Sequence, residues 1–142
     1  MKTMIKSFQE LTTQELFEIY KLRVSVFVVE QNCAYQEVDD ADKEAYHVCL
    51  YENEKLMAYC RVFPRTESQA LIGRVIAVKR RCGLGTKVVS LAMETAKERL
   101  KAGTIAVEAQ TYAVPMYEKL GFVRCSEEYL EDGIPHVSMI CE

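Results

Sequence analysis

Residues 80–86 form a short basic segment with two glycines, between an apolar run and a long amphipathic stretch. At a strand-to-helix junction the N–H groups of the first helical turn lack intrahelical partners, and the helix dipole adds partial positive charge. Gly83 and Gly85 carry no Cβ, so a ligand can approach the backbone closely. Lys79, Arg80 and Arg81 add positive charge for phosphate oxygens. The segment therefore predicts a site for a phosphate-bearing ligand, most naturally a pyrophosphate.

Two familiar phosphate-binding loops do not match this segment. A Walker loop needs Gly-x-x-x-x-Gly-Lys-Ser/Thr, which the chain lacks. A dinucleotide-binding loop needs a third glycine, and Val88 stands at that position. From these residues alone, the alternative to a ligand site is a basic strand-to-helix turn that binds nothing.

Residues 30–45 form an acidic segment, with six negative side chains against one positive side chain, Lys43. A cationic amine would be attracted to carboxylates such as those of Glu37, Asp39 and Asp40. The competing interpretation is a solvated surface loop, since runs of charge are usually exposed. Both interpretations stay open from the sequence.

The chain has two histidines, and each could accept a proton near neutral pH. An alkylamine has a pKa of about 10.4, so it is mostly charged at neutral pH and needs a base before it can act as a nucleophile. His136 ends a turn-rich stretch, and His47 follows the acidic segment. A hydrogen-bonded structural histidine is the alternative for each, and Glu30, Glu108 or water relayed by either carboxylate are further candidate bases.

The composition fits one domain, residues 1–142. With 142 residues and 49% hydrophobic side chains, a single buried core is expected. A net charge of −3 disfavours a nucleic-acid-binding surface. No apolar run reaches the about 20 residues that span a bilayer, and the start of the chain lacks the apolar stretch and cleavage site of a signal peptide.

Six scattered cysteines include no Cys-x-x-Cys pair, which argues against a zinc site and a disulfide scaffold. We interpret them as reduced thiols that serve as small hydrophobic side chains. The expectation is therefore a cytoplasmic protein with no metal, no nucleic-acid partner and no membrane span.

The elements that position these residues follow from hydrophobic spacing. Thr12 and Glu15 predict a capped helix start, and accumulating β-branched residues at 28–29 predict its end. A long helix is expected after the basic segment, and a short one at residues 115–121. We expect strands at residues 46–51, 56–63, 70–78, 104–109, 122–127 and 137–141.

Two motifs in this arrangement resemble the GNAT superfamily of N-acetyltransferases. Arg80-x-x-Gly-x-Gly between strand and helix resembles its acetyl-coenzyme A signature, and Tyr117-x-x-x-Gly-Phe on a short helix resembles its second landmark. One helix and one strand separate the motifs, as that fold requires. Further stretches, from about residue 8 to the C-terminus, resemble the ElaA branch of the superfamily. They are residues 22–23, 26–31, 35–39, 42, 47, 58–61, 72–75 and 131–136.

The resemblance implies an α/β fold and a ligand. The fold has a mixed, mostly antiparallel central sheet flanked by helices and splayed between the fourth and fifth strands, where free backbone groups bind the pantetheine arm. The ligand is the co-substrate acetyl-coenzyme A (acetyl-CoA). The residues expected to contact it are Ile76, Ala77, Val78, Arg80, Arg81, Cys82, Gly83, Leu84, Gly85, Thr86 and Gln110. The loop before Arg80 is shorter than the family pattern, and Arg81 replaces its usual glycine.

The implied reaction is direct attack of a primary amine on the thioester carbonyl within a ternary complex. Tyr117 takes the family's role of proton donor to the departing thiolate, although a helical tyrosine is otherwise most often a packing residue. His136 is the candidate base. The candidates for binding the acceptor are Glu30, Tyr35, Glu37 and Asp39.

The expected partner is a small-molecule or peptide amine. Late strands often pair subunits in the superfamily, so the resemblance also suggests a homodimer. The alternative function is a non-catalytic acyl-CoA sensor that binds the co-substrate and contacts a partner protein.

Overall fold

The computed structural model describes residues 1–79 and 82–142, which contain eight strands and three α-helices. The strands are β1 (Lys2–Ser7), β2 (Tyr46–Glu52), β3 (Lys55–Pro64), β4 (Gln69–Ala77), β5 (Thr104–Gln110), β6 (Val123–Arg124), β7 (Tyr129–Glu131) and β8 (Ile134–Cys141). The helices are α1 (Thr13–Val24), α2 (Leu84–Glu98) and α3 (Val114–Lys119). A π-helical segment, Ser25–Glu30, continues α1.

One sheet of eight strands forms the centre of the molecule, in the order β1-β2-β3-β4-β5-β8-β6, with β7 also paired to β8. Every pair is antiparallel except β4 with β5. On one face α2 buries Val88, Val89, Ala92 and Ala96 in the main core. On the other face α1 packs Ile19 against Tyr59 of β3. The prediction of a mixed, mostly antiparallel sheet flanked by helices is confirmed.

β4 and β5 pair only over their first residues and then diverge. Their register runs from Gln69 opposite Thr104 to Ile72 opposite Val107, whereas β4 continues to Ala77. The two strands therefore part at the point where the predicted fold splays, and the gap between them opens onto the start of α2.

A β-bulge at Arg74 bends β4 next to the gap. The register with β3 passes from Gly73 opposite Arg61 to Ile76 opposite Tyr59, which leaves one extra residue on β4. Arg74 has a φ of 54°, in the left-handed region. Because a bulge bends a strand and increases its twist, it turns β4 away from the direction of β5.

The start of α1 has the predicted reciprocal cap. The Thr12 hydroxyl accepts from the Glu15 N–H at 3.1 Å, and the Glu15 carboxylate accepts from the Thr12 N–H at 2.8 Å. The helical chain ends at Glu30 in a wider π-helical turn, within two residues of the predicted end near residues 28–29. Gln31 N–H donates to the Val26 carbonyl, five residues back, at 3.3 Å. Single π-helical turns of this kind often lie at functional sites.

The N-terminal strand β1 was not predicted. Its six residues pair with β2 at the edge of the sheet, from Lys2 opposite Tyr51 to Ser7 opposite Tyr46. None of its side chains is fully buried, so the segment lacks the apolar signal of a core strand.

Candidate active site

The gap between β4 and β5 opens into a cleft of about 1470 Å³ that runs from the start of α2 to the hairpin of β7 and β8. Thirteen residues predicted for the site line this cleft. They are Glu30, Tyr35, Asp39, Ile76, Ala77, Val78, Gly83, Leu84, Gly85, Thr86, Gln110, Tyr117 and His136. Arg80 and Arg81, also predicted to bind the co-substrate, lie outside the described residues. Cys82 is exposed and lies outside the cleft lining.

The free edge of β4 presents backbone groups to the cleft. Val78 N–H donates to the Met57 carbonyl of β3 at 2.9 Å, and Ala77 lies opposite Ala58. Since successive residues of an antiparallel strand turn their N–H and C=O to opposite sides, those of Ala77 face away from β3. They point to the side that β5 has left, where a ligand amide can bind them.

The start of α2 is built for a close approach to the backbone. Gly83 precedes the helix with φ of 73° and ψ of 9°, a left-handed conformation that favours glycine. No side chain of the described residues caps this end, so first-turn N–H groups remain available to a ligand. A Cβ on Gly85 would lie 3.2 Å from Met116 Sδ of α3, so glycine permits the close packing of the two helices.

Tyr117 reaches the cleft from α3. Its ring is 5% exposed and meets Phe122 edge-on, with centroids 5.7 Å apart and an interplanar angle of 83°. Burial raises the pKa of the Tyr117 hydroxyl well above its ordinary value. The hydroxyl therefore stays protonated at neutral pH, as a proton donor must.

His136 lies on β8, opposite Gln110 of β5. Its Nδ1–H donates to the Ile134 carbonyl at 2.7 Å, and because a carbonyl only accepts, this bond assigns the proton of the neutral ring to Nδ1. The Tyr129 ring stacks on the imidazole at 6.0 Å, with an interplanar angle of 21°. The Nε2 lone pair is thus free to accept a proton in the cleft.

Glu131, which the sequence did not single out, faces His136 across the β7–β8 hairpin. Its Oε2 lies 3.5 Å from His136 Nε2. Burial, and next the charge of Glu108, raise the pKa of the Glu131 carboxyl. Glu108 also pairs with Arg65 from the end of β3. The signal that could have found Glu131 is its place two residues before the Gly-Ile-Pro-His turn.

Two of the predicted acceptor-binding carboxylates have internal cationic partners. Glu37 is 3% exposed, and its carboxylate accepts from Arg23 Nε at 3.1 Å. Arg74 Nε lies 2.6 Å from the Glu37 Oε2, as an ion-pair contact rather than an aligned hydrogen bond. Asp39 accepts from Arg61 at 2.5 Å and 3.1 Å. Glu37 is therefore buried, neutralised and outside the cleft lining, which corrects the expectation that it attracts a cationic amine. Asp39 is paired but lines the cleft, so its part in acceptor binding stays a prediction.

The other two predicted acceptor-binding residues, Glu30 and Tyr35, line the cleft as Asp39 does. Glu30 ends the π-helical segment and is exposed. The Tyr35 ring lies 5.5 Å from the Arg74 guanidinium, in a cation–π contact. The acidic segment thus has two parts, an accessible part near Glu30 and a buried part that holds the loop to the sheet.

His47 is a structural histidine, which corrects its listing among the candidate bases. It is fully buried; the Tyr59 hydroxyl donates to its Nδ1 at 2.7 Å, and its Nε2–H donates to the Asp42 carbonyl at 2.9 Å. Burial lowers the pKa of His47, so the neutral ring persists. Both nitrogens are occupied, and the ring does not line the cleft.

No helix within residues 1–79 and 82–142 has the length and apolar character to cross a membrane. In the same ranges, no group of three or more His, Cys, Asp or Glu side chains is arranged to hold a metal ion.

Comparisons with known proteins agree with the geometry. A family model described as an acetyltransferase (GNAT) domain matches residues 9–142. A UPF0039 protein of Schizosaccharomyces pombe is 45% identical over 141 residues, which cover 96% of this chain and 94% of that protein. Protein ElaA of Escherichia coli is 34% identical over 139 residues, which cover 94% of this chain and 91% of that protein.

Solved structures give the same result. The crystal structure of E. coli ElaA has a TM-score of 0.93 at 32% identity, with 100% of each chain covered. That of an acyl-CoA N-acyltransferase from Pseudomonas aeruginosa has a TM-score of 0.91 at 36% identity, again with 100% of each chain covered. Both likenesses include every strand and helix that borders the cleft.

Proposed function

Because the chain belongs to the GNAT acetyltransferase family, we propose that it transfers an acetyl group from acetyl-CoA to a primary amine. The proposed reaction is direct attack within a ternary complex. The observation that carries the proposal is the convergence in one cleft of the unpaired edge of β4, the uncapped start of α2 and the Tyr117 hydroxyl. Acyl transfer in general follows from the family; the acetyl donor, the amine acceptor and the residue roles are proposed.

The chain's own backbone fits the two polar parts of acetyl-CoA. The N–H groups after Gly83 suit a pyrophosphate, since the helix dipole adds to their positive charge. The backbone groups of Ala77 suit an amide of the pantetheine arm, because they lie on a strand edge without a neighbour beyond Ile72 in the described residues. Acetyl-CoA supplies the activated acetyl group as a thioester.

Two side chains are proposed to carry the proton transfers of the reaction. His136 Nε2 carries a lone pair into the cleft and is proposed to take the proton of the incoming ammonium. Tyr117, kept protonated by burial, is proposed to give its proton to the departing sulfur. The proposal places the base on β8 and the acid on α3.

Location and assembly are part of the proposal. Buried cysteines such as Cys49 and Cys60 support a reducing compartment, and we propose the cytoplasm. The acceptor is proposed to be a small-molecule or peptide amine, and the enzyme a homodimer.

The test is thiol release from acetyl-CoA over a library of primary amines, with Tyr117→Phe beside the unmodified protein. Loss of a general acid lowers kcat by about a hundredfold or more, while calorimetry should give an unchanged Kd for acetyl-CoA. Tyr46→Phe is the matched control, because Tyr46 packs against Arg99, outside the cleft. Unchanged kcat in Tyr117→Phe would remove Tyr117 from this role, and acetyl-CoA binding without turnover of any amine would favour the acyl-CoA sensor.

A further inference from the structure

Three hydrogen-bond acceptors on neighbouring strands of the sheet line the cleft. They are the Glu108 carboxylate on β5, the Glu131 carboxylate on β7 and Nε2 of His136 on β8. The register places Gln110 opposite His136, so Glu108 lies two residues from that pair on the same face. All three side chains line the cleft.

In the described part of the chain, no group donates a hydrogen bond to Nε2 of His136. Its side chain is 10% exposed, and Nδ1–H is committed to the Ile134 carbonyl. Within residues 1–79 and 82–142, Nε2 receives no hydrogen bond, and its near neighbour at 3.5 Å is an oxygen of Glu131. The neutral ring thus presents its Nε2 lone pair on the cleft lining, beside a carboxylate, where a donor from outside the chain can bind.

The Glu131 and Glu108 side chains are 46% and 33% exposed, and both line the cleft. The charge of Glu108 raises the pKa of the Glu131 carboxyl, and two like charges repel unless a proton or a cation lies between them. Arg65 pairs with Glu108 from one side, and Glu131 has only the histidine as a partner among the described ion pairs. A cation at the meeting point would relieve both carboxylates and the histidine together.

We propose that Glu108, Glu131 and His136 Nε2 form the receptor for the acceptor's ammonium group, and that the acceptor is a primary alkylamine without a carboxylate beside the nitrogen. This inference rests on the proposed function and names its substrate class. A primary ammonium has three N–H donors, one for each acceptor. A secondary amine has one donor fewer, and a quaternary ammonium has the charge without any donor.

The charges around the receptor exclude a neighbouring substrate carboxylate. Besides the receptor itself, Glu30 and Asp132 line the cleft. The cleft-lining Arg61 and Arg74 are held in ion pairs with the acidic segment, and Arg65 is paired with Glu108. The remaining described cation of the cleft lining, Lys79, precedes the start of α2, away from the β7–β8 hairpin. An α-amino acid would therefore bring its carboxylate to a region that is already negative.

The same groups complete the proton balance of the transfer. The ammonium gives one proton to His136 Nε2, and the free nitrogen lone pair forms the C–N bond as the C–S bond breaks. Tyr117 gives its proton to the sulfur and regains one from the acylated nitrogen. His136 then releases its proton to solvent, so one proton is released for each amide formed.

The test measures binding without turnover. Ligand-observed NMR gives the Kd of n-butylamine, N-methylbutylamine, butyltrimethylammonium and 2-aminopentanoic acid for the protein in the absence of acetyl-CoA. The variants are Glu131→Gln and Glu108→Gln, with Glu128→Gln as the matched control, since Glu128 is exposed and lies outside the cleft lining. Thermal unfolding checks that each variant folds; Glu131, in an exposed hairpin, tests the idea even if Glu108→Gln is unstable.

The expected order is n-butylamine tightest, then N-methylbutylamine, with the quaternary ammonium and the amino acid weakest. Each receptor substitution should weaken n-butylamine binding by about tenfold or more, the usual effect of losing a hydrogen bond to a charged group, and Glu128→Gln should not. Equal affinity for n-butylamine and butyltrimethylammonium, or an unchanged Kd in Glu131→Gln, would overturn the receptor.

A parallel thiol-release assay separates this inference from the proposed function. Tight n-butylamine binding that depends on Glu131, without any thiol release, would reject the acetyltransferase and leave the receptor. Normal thiol release and an unaltered amine KM in both glutamine variants would reject the receptor and leave the acetyltransferase.

Discussion

Arg23 shows how a single side chain holds one wall of the cleft. It is fully buried; its Nε donates to Glu37, and its Nη1 and Nη2 donate to Asp42 at 2.6 Å and 3.0 Å. Nη2 also donates to the Glu37 carbonyl at 3.0 Å. Because buried guanidinium and carboxylate groups are costly unless fully paired, this arrangement ties the loop that carries Tyr35 to α1.

At the residue scale we predict that Asp42→Asn destabilises the protein strongly. Asp42 is 1% exposed and pairs with Arg23 and Arg61, so its loss leaves buried positive charge without a partner. The free energy of unfolding in urea should fall by about 3–5 kcal/mol. Asp40→Asn is the matched control two residues away, because the Asp40 side chain is fully exposed. Equal urea midpoints for the two variants would contradict the prediction.

At the scale of elements, the cleft is produced by how strands and helices begin and end. β4 outlasts its pairing with β5, and α2 starts from a left-handed glycine rather than from a side-chain cap. The β7–β8 hairpin turns through Asp132 and Gly133, with φ of 52° and 77°, and so brings Glu131 opposite Ile134. Each of these features leaves polar groups that face the gap between β4 and β5.

Two glycines provide a matched test of the start of α2. Gly83 and Gly133 have φ of 73° and 77°, and a Cβ on either would meet nothing within 4 Å. Alanine at either position should therefore cost about 1–2 kcal/mol of stability through backbone strain alone. Only Gly83→Ala should also weaken acetyl-CoA binding, severalfold by calorimetry, because the strain shifts the N–H groups at the helix start. The same Kd in both variants would exclude a role for this turn in binding.

At the scale of the whole molecule, the ion-pair network links α1, β3, β4 and the loop before β2. It contains Asp39 and Asp42 and extends to His47 through the Asp42 carbonyl. Burial alone would raise the pKa values of both aspartates, but hydrogen bonds to Arg61, and for Asp42 also to Arg23, hold them below their ordinary range. The network is therefore a source of acid-sensitive stability.

The predicted pH dependence has two steps in the same direction. Burial lowers the pKa of His47, and Asp42, Arg23 and Arg61 are the charged groups that face it. The imidazole therefore stays neutral in the folded protein, whereas in the unfolded chain it binds a proton below about pH 6.5. Unfolding free energy should fall by up to about 1.4 kcal/mol between pH 7.5 and 5.5. The stability from Asp42 is present above about pH 3.9, the pKa of an unfolded aspartate, and is lost as the pH falls below it.

Urea titrations at about pH 7.5, 5.5, 4 and 3 check this dependence. In His47→Asn, the decrease in the free energy of unfolding between pH 7.5 and 5.5 should disappear. The decrease below pH 4 that comes from Asp42 should remain. A free energy of unfolding that stays constant from pH 7.5 to 5.5 in the unmodified protein would contradict the assignment.

The sequence by itself determined the features that depend on short stretches of chain. The reciprocal cap of Thr12 and Glu15 was predictable because it joins residues three apart. The left-handed start of α2 was predictable from Gly83, because sterics confine that conformation largely to glycine. The order of most strands followed from apolar runs, and the family motifs then indicated the fold.

Only the tertiary structure decided which charges face the cleft. Glu37 and Arg74 are 37 residues apart in the chain, and Glu131 meets Glu108 across two strand pairings, so no local pattern pairs them. The edge strand β1 was missed for the same reason, since its hydrogen bonds come from β2 rather than from its own spacing. Local hydrogen bonds and backbone sterics can be read from neighbouring residues, whereas the partner of a charge is set by packing between distant segments.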